Sequence, residues 1–479
     1  MEKISLNQKD NYHGNFGEVL RSSSNFYYRH DEKFRTTLSF FNYWHFKNDN
    51  SVTLVANIRR MDGTLLRRER LKFEQGEVIN YRPSVNTPFE GSVEIESFSL
   101  QNLRIPYSAV MAFYETEKSI VQVHSYSRVY SLHEVEDKKI LTHGRESCWT
   151  IYDNLNIRSF GVFHNGFTRQ QSQVISLTVT RLSDGKKISA KQELFELQPY
   201  QTVKIYPADI IPNLSEFLRG EAGNVSINFE VSNGFTRMLV GNEVLNESEF
   251  YATHSNFNYS QISTDSLERG IAYMKIPSLE QDVTVLIYPD MDPGSYKATT
   301  DDKIISFKTG DFAHINLSSN LIETVKFEKN DGRLPSRIVT ALTGQQKNHI
   351  LPWECSLGVF HNERPAKRYF WGPYMSSSSA ASTLVLTPYE EIYGAISSQD
   401  TLTINLYSSA KRGSLTTKIL TLPIIEQNGI LKLDDLFPNL KEFLDNDYGY
   451  YSIYSTYGGL LTYTAIQKPN GAFTIEHSF

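Results

Sequence analysis

The residues best equipped for chemistry are histidines, and three of them share a setting. His124, His254 and His477 each end an alternating apolar run and are each followed by serine, at Ser125, Ser255 and Ser478. Imidazole beside hydroxyl can line a common crevice, with His13 of His13-Gly14-Asn15-Phe16-Gly17 completing a ligand or subunit contact. It can equally satisfy backbone groups where a strand ends. The pattern His-x-Asp/Glu, which supplies two facial metal ligands, occurs at His30-Asp31-Glu32 and His361-Asn362-Glu363. With 12 His and 54 acidic residues in 479 positions, chance alone gives 12 × 54/479, about 1.4 matches, so two are background. A protein without cofactor is therefore expected, the alternative being a divalent metal held by His361, Glu363 and His477.

Cations interleave with flat rings at Arg364, Lys367, Arg368, Tyr369, Trp371 and Tyr374, a composition suited to stacking on a sugar and pairing with its carboxylate or phosphate. These six, with His13, His254 and His477, are the candidate ligand-binding residues. Arg59, Arg60, Arg67, Arg68 and Arg70 form a second basic group, read as a hairpin whose exposed edge is guarded by charge. Asp290-Met291-Asp292, with Asp301 and Asp302, offers hard oxygen ligands to Ca²⁺ or simply forms a solvated turn. The G-x-S-x-G elbow, the phosphate-binding loops, the dinucleotide fingerprint and H-E-x-x-H are missing, so no catalytic residue is assigned.

Positioning such residues needs a folded frame, and the composition supplies one. Hydrophobic residues are 40% of the chain and Phe, Tyr and Trp number 28, 28 and 4, which excludes disorder. A net charge of −6 gives no global positive field, so general nucleic-acid binding is not expected. Cys148 and Cys355 both lie beside Trp and read as buried thiols of a cytoplasmic protein. No segment approaches the ~20 apolar residues that cross a bilayer.

The recurring period is two: Val174 to Thr180 reads VISLTVT, Val225 to Val231 VSINFEV and Leu402 to Leu406 LTINL, with turn signals at Asp62-Gly63, Asp184-Gly185 and Asn470-Gly471. The fold class is all-β: tandem antiparallel β-sandwiches with internal duplication and one short helix per unit. The duplication is explicit. Asp209-Ile-Ile-Pro-Asn-Leu-Ser-Glu-Phe-Leu218 matches Asp435-Leu-Phe-Pro-Asn-Leu-Lys-Glu-Phe-Leu444 at an offset of 226, and Gly223, Ser226 and Ile227 keep that register with Gly449, Ser452 and Ile453. Asn213 and Asn439 read as N-caps, each with Glu three residues on, of a short helix that plugs the end of a sandwich. Ser159 to Asn165 echoes Ser356 to Asn362 at the different offset of 197, which suggests an insertion over Arg364 to Ser382. The expected divisions are an N-terminal arm (1–35), a first sandwich (36–132), a connector (133–158), a second sandwich (159–260), a degenerate third (261–363), and an aromatic and Arg-rich loop plus a fourth sandwich (364–479).

The strand Lys118 to Arg128 resembles the last strand of sensory rhodopsin transducer proteins, as does Val283 to Tyr288. The resemblance implies small all-β domains that associate face to face and bind a partner or a sugar-like ligand. The expected function is non-catalytic recognition or assembly, with a carbohydrate or protein partner, self-association into a homo-oligomer, and an accessory role in surface-glycan synthesis. The alternatives are a metal-dependent enzyme acting on a sugar or small acid, and a viral or cell-surface structural protein.

Overall fold

Alternation of apolar and polar residues does build strands. In Gln173–Arg181, Ile175, Leu177 and Val179 are fully buried while Val174 points outward. The hairpin turns fall where Asp-Gly marks them, with Gly63 and Gly185 at φ of 89° and 68°, the left-handed backbone that glycine adopts most cheaply. A computed structural model describes residues 19–479 apart from 75, 104–108, 125–126, 131–140, 233–236, 258–270, 280, 289–293, 309, 318–321, 331–333, 335–337, 362–365 and 421–427.

The first sandwich comprises β1 (Arg21–His30), β2 (Phe34–Phe41), β3 (Thr53–Arg60), β4 (Leu65–Leu71), β5 (Val78–Tyr81), β6 (Phe89–Phe98), β7 (Val110–Thr116), β8 (Ile120–His124) and β9 (Ser127–Tyr130). Its sheets have the orders β4-β3-β6-β1-β9 and β5-β2-β7-β8. The second comprises β10 (Leu141–Ile151), β11 (Ile157–His164), β12 (Gln173–Arg181), β13 (Lys187–Leu194), β14 (Thr202–Ile205), β15 (Gly223–Ser232), β16 (Leu239–Val244), β17 (Phe250–His254) and β18 (Asn256–Phe257). Its orders, β13-β12-β15-β10-β18 and β14-β11-β16-β17, repeat those of the first, strand for strand.

The third comprises β19 (Ile271–Ile276), β20 (Val283–Ile287), β21 (Ser295–Thr299), β22 (Ile304–Lys308), β23 (Ala313–Leu317), β24 (Glu323–Lys329), β25 (Val339–Gly344), β26 (Trp353–Gly358) and β27 (Phe360–His361). The fourth comprises β28 (Tyr369–Met375), β29 (Ala381–Pro388), β30 (Thr401–Tyr407), β31 (Ser414–Leu420), β32 (Ile430–Leu431), β33 (Tyr448–Ser455), β34 (Leu460–Gln467) and β35 (Phe473–His477). Both keep the same strand orders. In the fourth, Trp371 and Phe479 exchange backbone hydrogen bonds at the place of the ninth strand. The protein is thus all-β, with the same sandwich built four times. Six short helices occur among the described residues: Tyr43–Asn48 in the first sandwich, two turns in the second, three in the fourth and none in the third, rather than one apiece.

The sandwiches fall into two compact units. One holds the first two (1–73 and 79–257) and the other holds the last two together with Glu74–Val78. Inside each unit two sandwiches abut through their eighth strands. In the first, the Phe250 amide donates to Ser119 Oγ at 2.9 Å and Phe250 meets Phe34 edge-on at 4.9 Å. In the second, Trp353 and Phe473 lie 5.3 Å apart and the Phe473 amide donates to Gln346 Oε1 at 2.8 Å. In both, the beginning of one eighth strand meets the beginning of the other.

The expected divisions need one systematic correction: the strand that opens a sandwich had been assigned to something else. β1 lies within the expected arm, β10 within the connector, and β28 within the aromatic loop. β1 is flanked by partner strands on both sides and its polar residues Ser22, Ser23, Ser24 and Asn25 are buried too, so alternation is lost there. Arg364 to Ser382 is therefore no insertion. The echo at offset 197 joins unlike places, β11 on one side and the β26 to β27 junction on the other.

Candidate functional site

The duplicated Pro-Asn-Leu segment does plug a sandwich end, in the second sandwich and again in the fourth. In the second, helical turns Pro207–Ile210 and Leu214–Leu218 occupy the connection from β14 to β15. Ile211, Leu214 and Leu218 join the apolar cluster of Trp149, Val179 and Val225. Gly223 is required there, since a Cβ on it would come within 2.7 Å of Leu218 Cδ2. Gly449 stands against Leu444 in the same way in the fourth, where Leu433, Leu440 and Leu444 are buried. Asn213 and Asn439 do sit at N-cap positions, but neither side chain makes a capping bond.

Two arginines fasten the plug of the second sandwich. Arg158 holds the Asp209 carboxylate through two bonds of 2.8 and 2.7 Å and lies over the Tyr206 ring at 3.6 Å. Arg181, buried, donates to the Phe217 carbonyl of the second turn, and to Asp184 at 2.9 Å. This guanidinium holds the Asp184 carboxyl well below the usual carboxylate range.

The first sandwich has the same ladder without the plug. Arg60 faces Gly91 across β3 and β6 as Arg181 faces Gly223 across β12 and β15. Arg35 faces Glu115 across β2 and β7 as Arg158 faces Glu243 across β11 and β16. The connection from β5 to β6 is only residues 82–88, against 206–222 and 432–447 for the two plugged ends. A cleft of about 730 Å³ opens there. Ile58, Met61, Leu66, Val85 and Phe89 give it apolar walls, and Arg60, Arg67, Asp62, Glu90, Ser84 and Asn86 its polar rim. The Phe89 ring approaches Gly91 where Leu218 approaches Gly223, so it closes the core and leaves one side half exposed in the cleft. Without a plug carboxylate, Arg35 pairs with Glu115 at 2.8 Å. The exposed Arg60 side chain forms no hydrogen bond or ion pair with a described residue.

Arg59 and Arg68 of the basic hairpin face elsewhere and are consumed. On the outer face of the five-stranded sheet, Glu94 accepts from Ser23 Oγ at 2.6 Å, Asn57 Nδ2 at 3.0 Å and Arg59 at 2.6 Å. Glu96 accepts from Arg21 Nε at 2.9 Å, Asn57 at 2.6 Å and Arg68 at 3.0 Å. Burial pushes the Glu96 carboxyl up, but Arg21, Asn57 and Arg68 outweigh it and hold it below its ordinary value. Arg59 stacks on Tyr200 of the second sandwich at 3.9 Å. The hairpin is thus half structural network, half cleft rim.

Trp371 and Tyr374 are buried on β28, with the Tyr374 hydroxyl donating to the Ser382 carbonyl at 2.7 Å, so they are core residues rather than a stacking platform. Lys367 lies over Phe370 at 5.0 Å, Tyr369 is half-buried against Trp371, and Arg368 is exposed. His124 and His254 do end equivalent strands and meet edge-on at 4.4 Å, both buried. The third sandwich carries Leu357 near this place. His477 ends β35 and lies 3.6 Å from Glu476, with Nδ1 3.2 Å from the Ser478 carbonyl. His361 lies on β27 opposite Ala272. His13, Asp290, Asp292, Glu363 and Arg364 lie outside the described residues. Asp301 and Asp302 form an exposed turn closed by the Thr300 amide on the Lys303 carbonyl at 2.9 Å. Cys355 is buried 3.9 Å from Glu476 Oε1, and burial together with that carboxylate pushes its thiol up, away from reactivity. No helix among the described residues is long and apolar enough to cross a membrane.

Compared with protein-family models and with curated proteins, the sequence gives no match. Function has to be argued from the site itself. Sequence reasoning missed the cleft because it is made by a connection that is short. The signal was present as the Pro-Asn-Leu segment that follows β14 and β32 and has no counterpart between Tyr81 and Phe89.

Proposed function

We propose that the chain is a recognition protein, a tandem array of sandwiches whose ligand enters the open end of the first one. The observation that carries this reading is a pair of equivalent sites in different states: an end sealed by the chain itself in the second sandwich, and a cleft of about 730 Å³ in the first. That volume lies in the range of about 300–1,000 Å³ usual for ligand pockets, and the lining combines apolar walls with a few charged groups, as binding sites do. A protein segment and a carbohydrate are the two ligand classes in view, since Phe89, Arg60, Asn86 and Asp62 offer a ring, a cation and hydrogen-bonding groups of both kinds. A thermal-shift screen of the full chain against glycans and peptides tests the reading. Ligands that stabilise the protein are expected to lose that effect in Arg60→Glu and Leu66→Asp. Equal stabilisation of wild type and both variants removes the cleft as the site.

A further inference from the structure

Resting on that reading, we infer that the cleft of the first sandwich accepts a short acidic, amphipathic helical turn from a partner protein, a plug supplied in trans. The second and fourth sandwiches show what this end binds when the chain provides it: an Asp, a Pro-Asn-Leu bend, and a turn presenting Leu, Phe and Leu on one side.

The first sandwich keeps both fasteners of that segment. Arg35 corresponds to Arg158, which grips the plug carboxylate, and Arg60 to Arg181, which donates to the Phe217 carbonyl of the turn. Arg60 is exposed at the mouth, and Arg35, half exposed, is held only by a cross-strand partner of the kind that Arg158 forgoes for Asp209. The apolar contacts are matched as well. Ile58, which faces Val93 across the ladder, corresponds to Val179, which faces Val225 in the cluster that holds Leu218. Leu66, 42% exposed, and the half-exposed Phe89 offer apolar surface with no partner supplied by the connection 82–88.

The acidic character of the occupant follows from the fastener: in the second sandwich the plug carboxylate of Asp209 meets Arg158, the counterpart of Arg35, while the cleft rim itself is of mixed charge, Arg60 and Arg67 beside Asp62 and Glu90. A plug exchanged from a second copy is disfavoured, because it would strip Leu214 and Leu218, or Leu440 and Leu444, from a closed core.

The test uses fluorescein-labelled, amidated peptides with the sequences of 209–218 and 435–444, titrated into the full-length protein by fluorescence anisotropy. Saturable binding is expected, with each peptide displacing the other and affinity falling as salt rises. Arg60→Glu and Leu66→Asp, both at exposed positions and checked for an unchanged melting curve, are expected to weaken binding at least about tenfold. A peptide with its Leu and Phe positions replaced by Ser should not bind. No saturation by either peptide, or binding indifferent to both substitutions, overturns the inference. If the peptides fail but a glycan binds and is lost in Arg60→Glu, the cleft remains the site and only the plug mimic falls. If nothing that binds responds to the cleft variants, both readings fall.

Discussion

Arg158 and Arg181 in the second sandwich hold the same ladder positions as Arg35 and Arg60 in the first, yet one pair is locked onto the chain's own helical turns and the other faces a cleft or a neighbouring strand. The ladder positions of the arginines do not distinguish the two ends. The length of the connection between the fifth and sixth strands does, turning one end into core and leaving the other as surface. A frame repeated this faithfully therefore carries its differences in its connections, where a change is structurally cheap.

The sharpest way to strain that comparison is to break charge on the face where the first sandwich has buried it. Arg59→Ala leaves Glu94 buried with Ser23, Asn57 and, at 3.6 Å, an Arg21 already held by Glu96, so a loss of about 3–5 kcal/mol is expected in urea unfolding. Its neighbour Arg60→Ala, at the open end, should move stability by less than about 0.5 kcal/mol. Next come the plugs: Leu218→Ala and Leu444→Ala each remove a fully buried side chain and should cost about 2–5 kcal/mol, whereas Leu66→Ala in the open cleft should cost almost nothing. Equal costs for Leu218 and Leu66 would dissolve the contrast between closed and open ends.

The pH effect of a buried histidine at this ladder position should be confined to the plugged member. His164, at the end of β11, is buried, and burial holds its imidazole down at about 3 against an ordinary 6.5. The unfolded chain then takes up a proton as pH falls through 6.5 while the folded chain does not. Stability should decline by about 1.4 kcal/mol per pH unit between 6.5 and 3, and His164→Phe should flatten that slope. Phe41 stands at the end of β2, so the first sandwich has no such response there. Within the plugged member the smallest effect belongs to Arg158→Ala, which opens a half-exposed pair with Asp209; a double-mutant cycle should read at most about 1 kcal/mol.

The all-β class, the turns and the duplication were legible in the sequence because period-two alternation, Asp-Gly pairs and a ten-residue repeat are local signals. The opening strands were not. RSSSNFYYRH in β1 owes its burial to partners on both flanks, a fact fixed by β6 and β9 far along the chain. The arginines of the basic hairpin were visible as a group, but their division was not, since Glu94 and Glu96 claim Arg59 and Arg68 only once β6 is in register. Trp371 and Tyr374 read as a stacking surface because Arg364, Lys367 and Arg368 interleave with the rings in sequence. In the fold they lie on a strand paired with β33, where Tyr374 turns into the core and Trp371, on the opposite face, is covered by Phe479.

The Phe89 ring has an evolutionary corollary. Because it seals the interior without any helical turn, the stopper is dispensable, and a single insertion or deletion at this point could convert a module between inert spacer and receptor while every ladder bond stays in place. Chains assembled from such modules can gain or shed a socket in one genetic step.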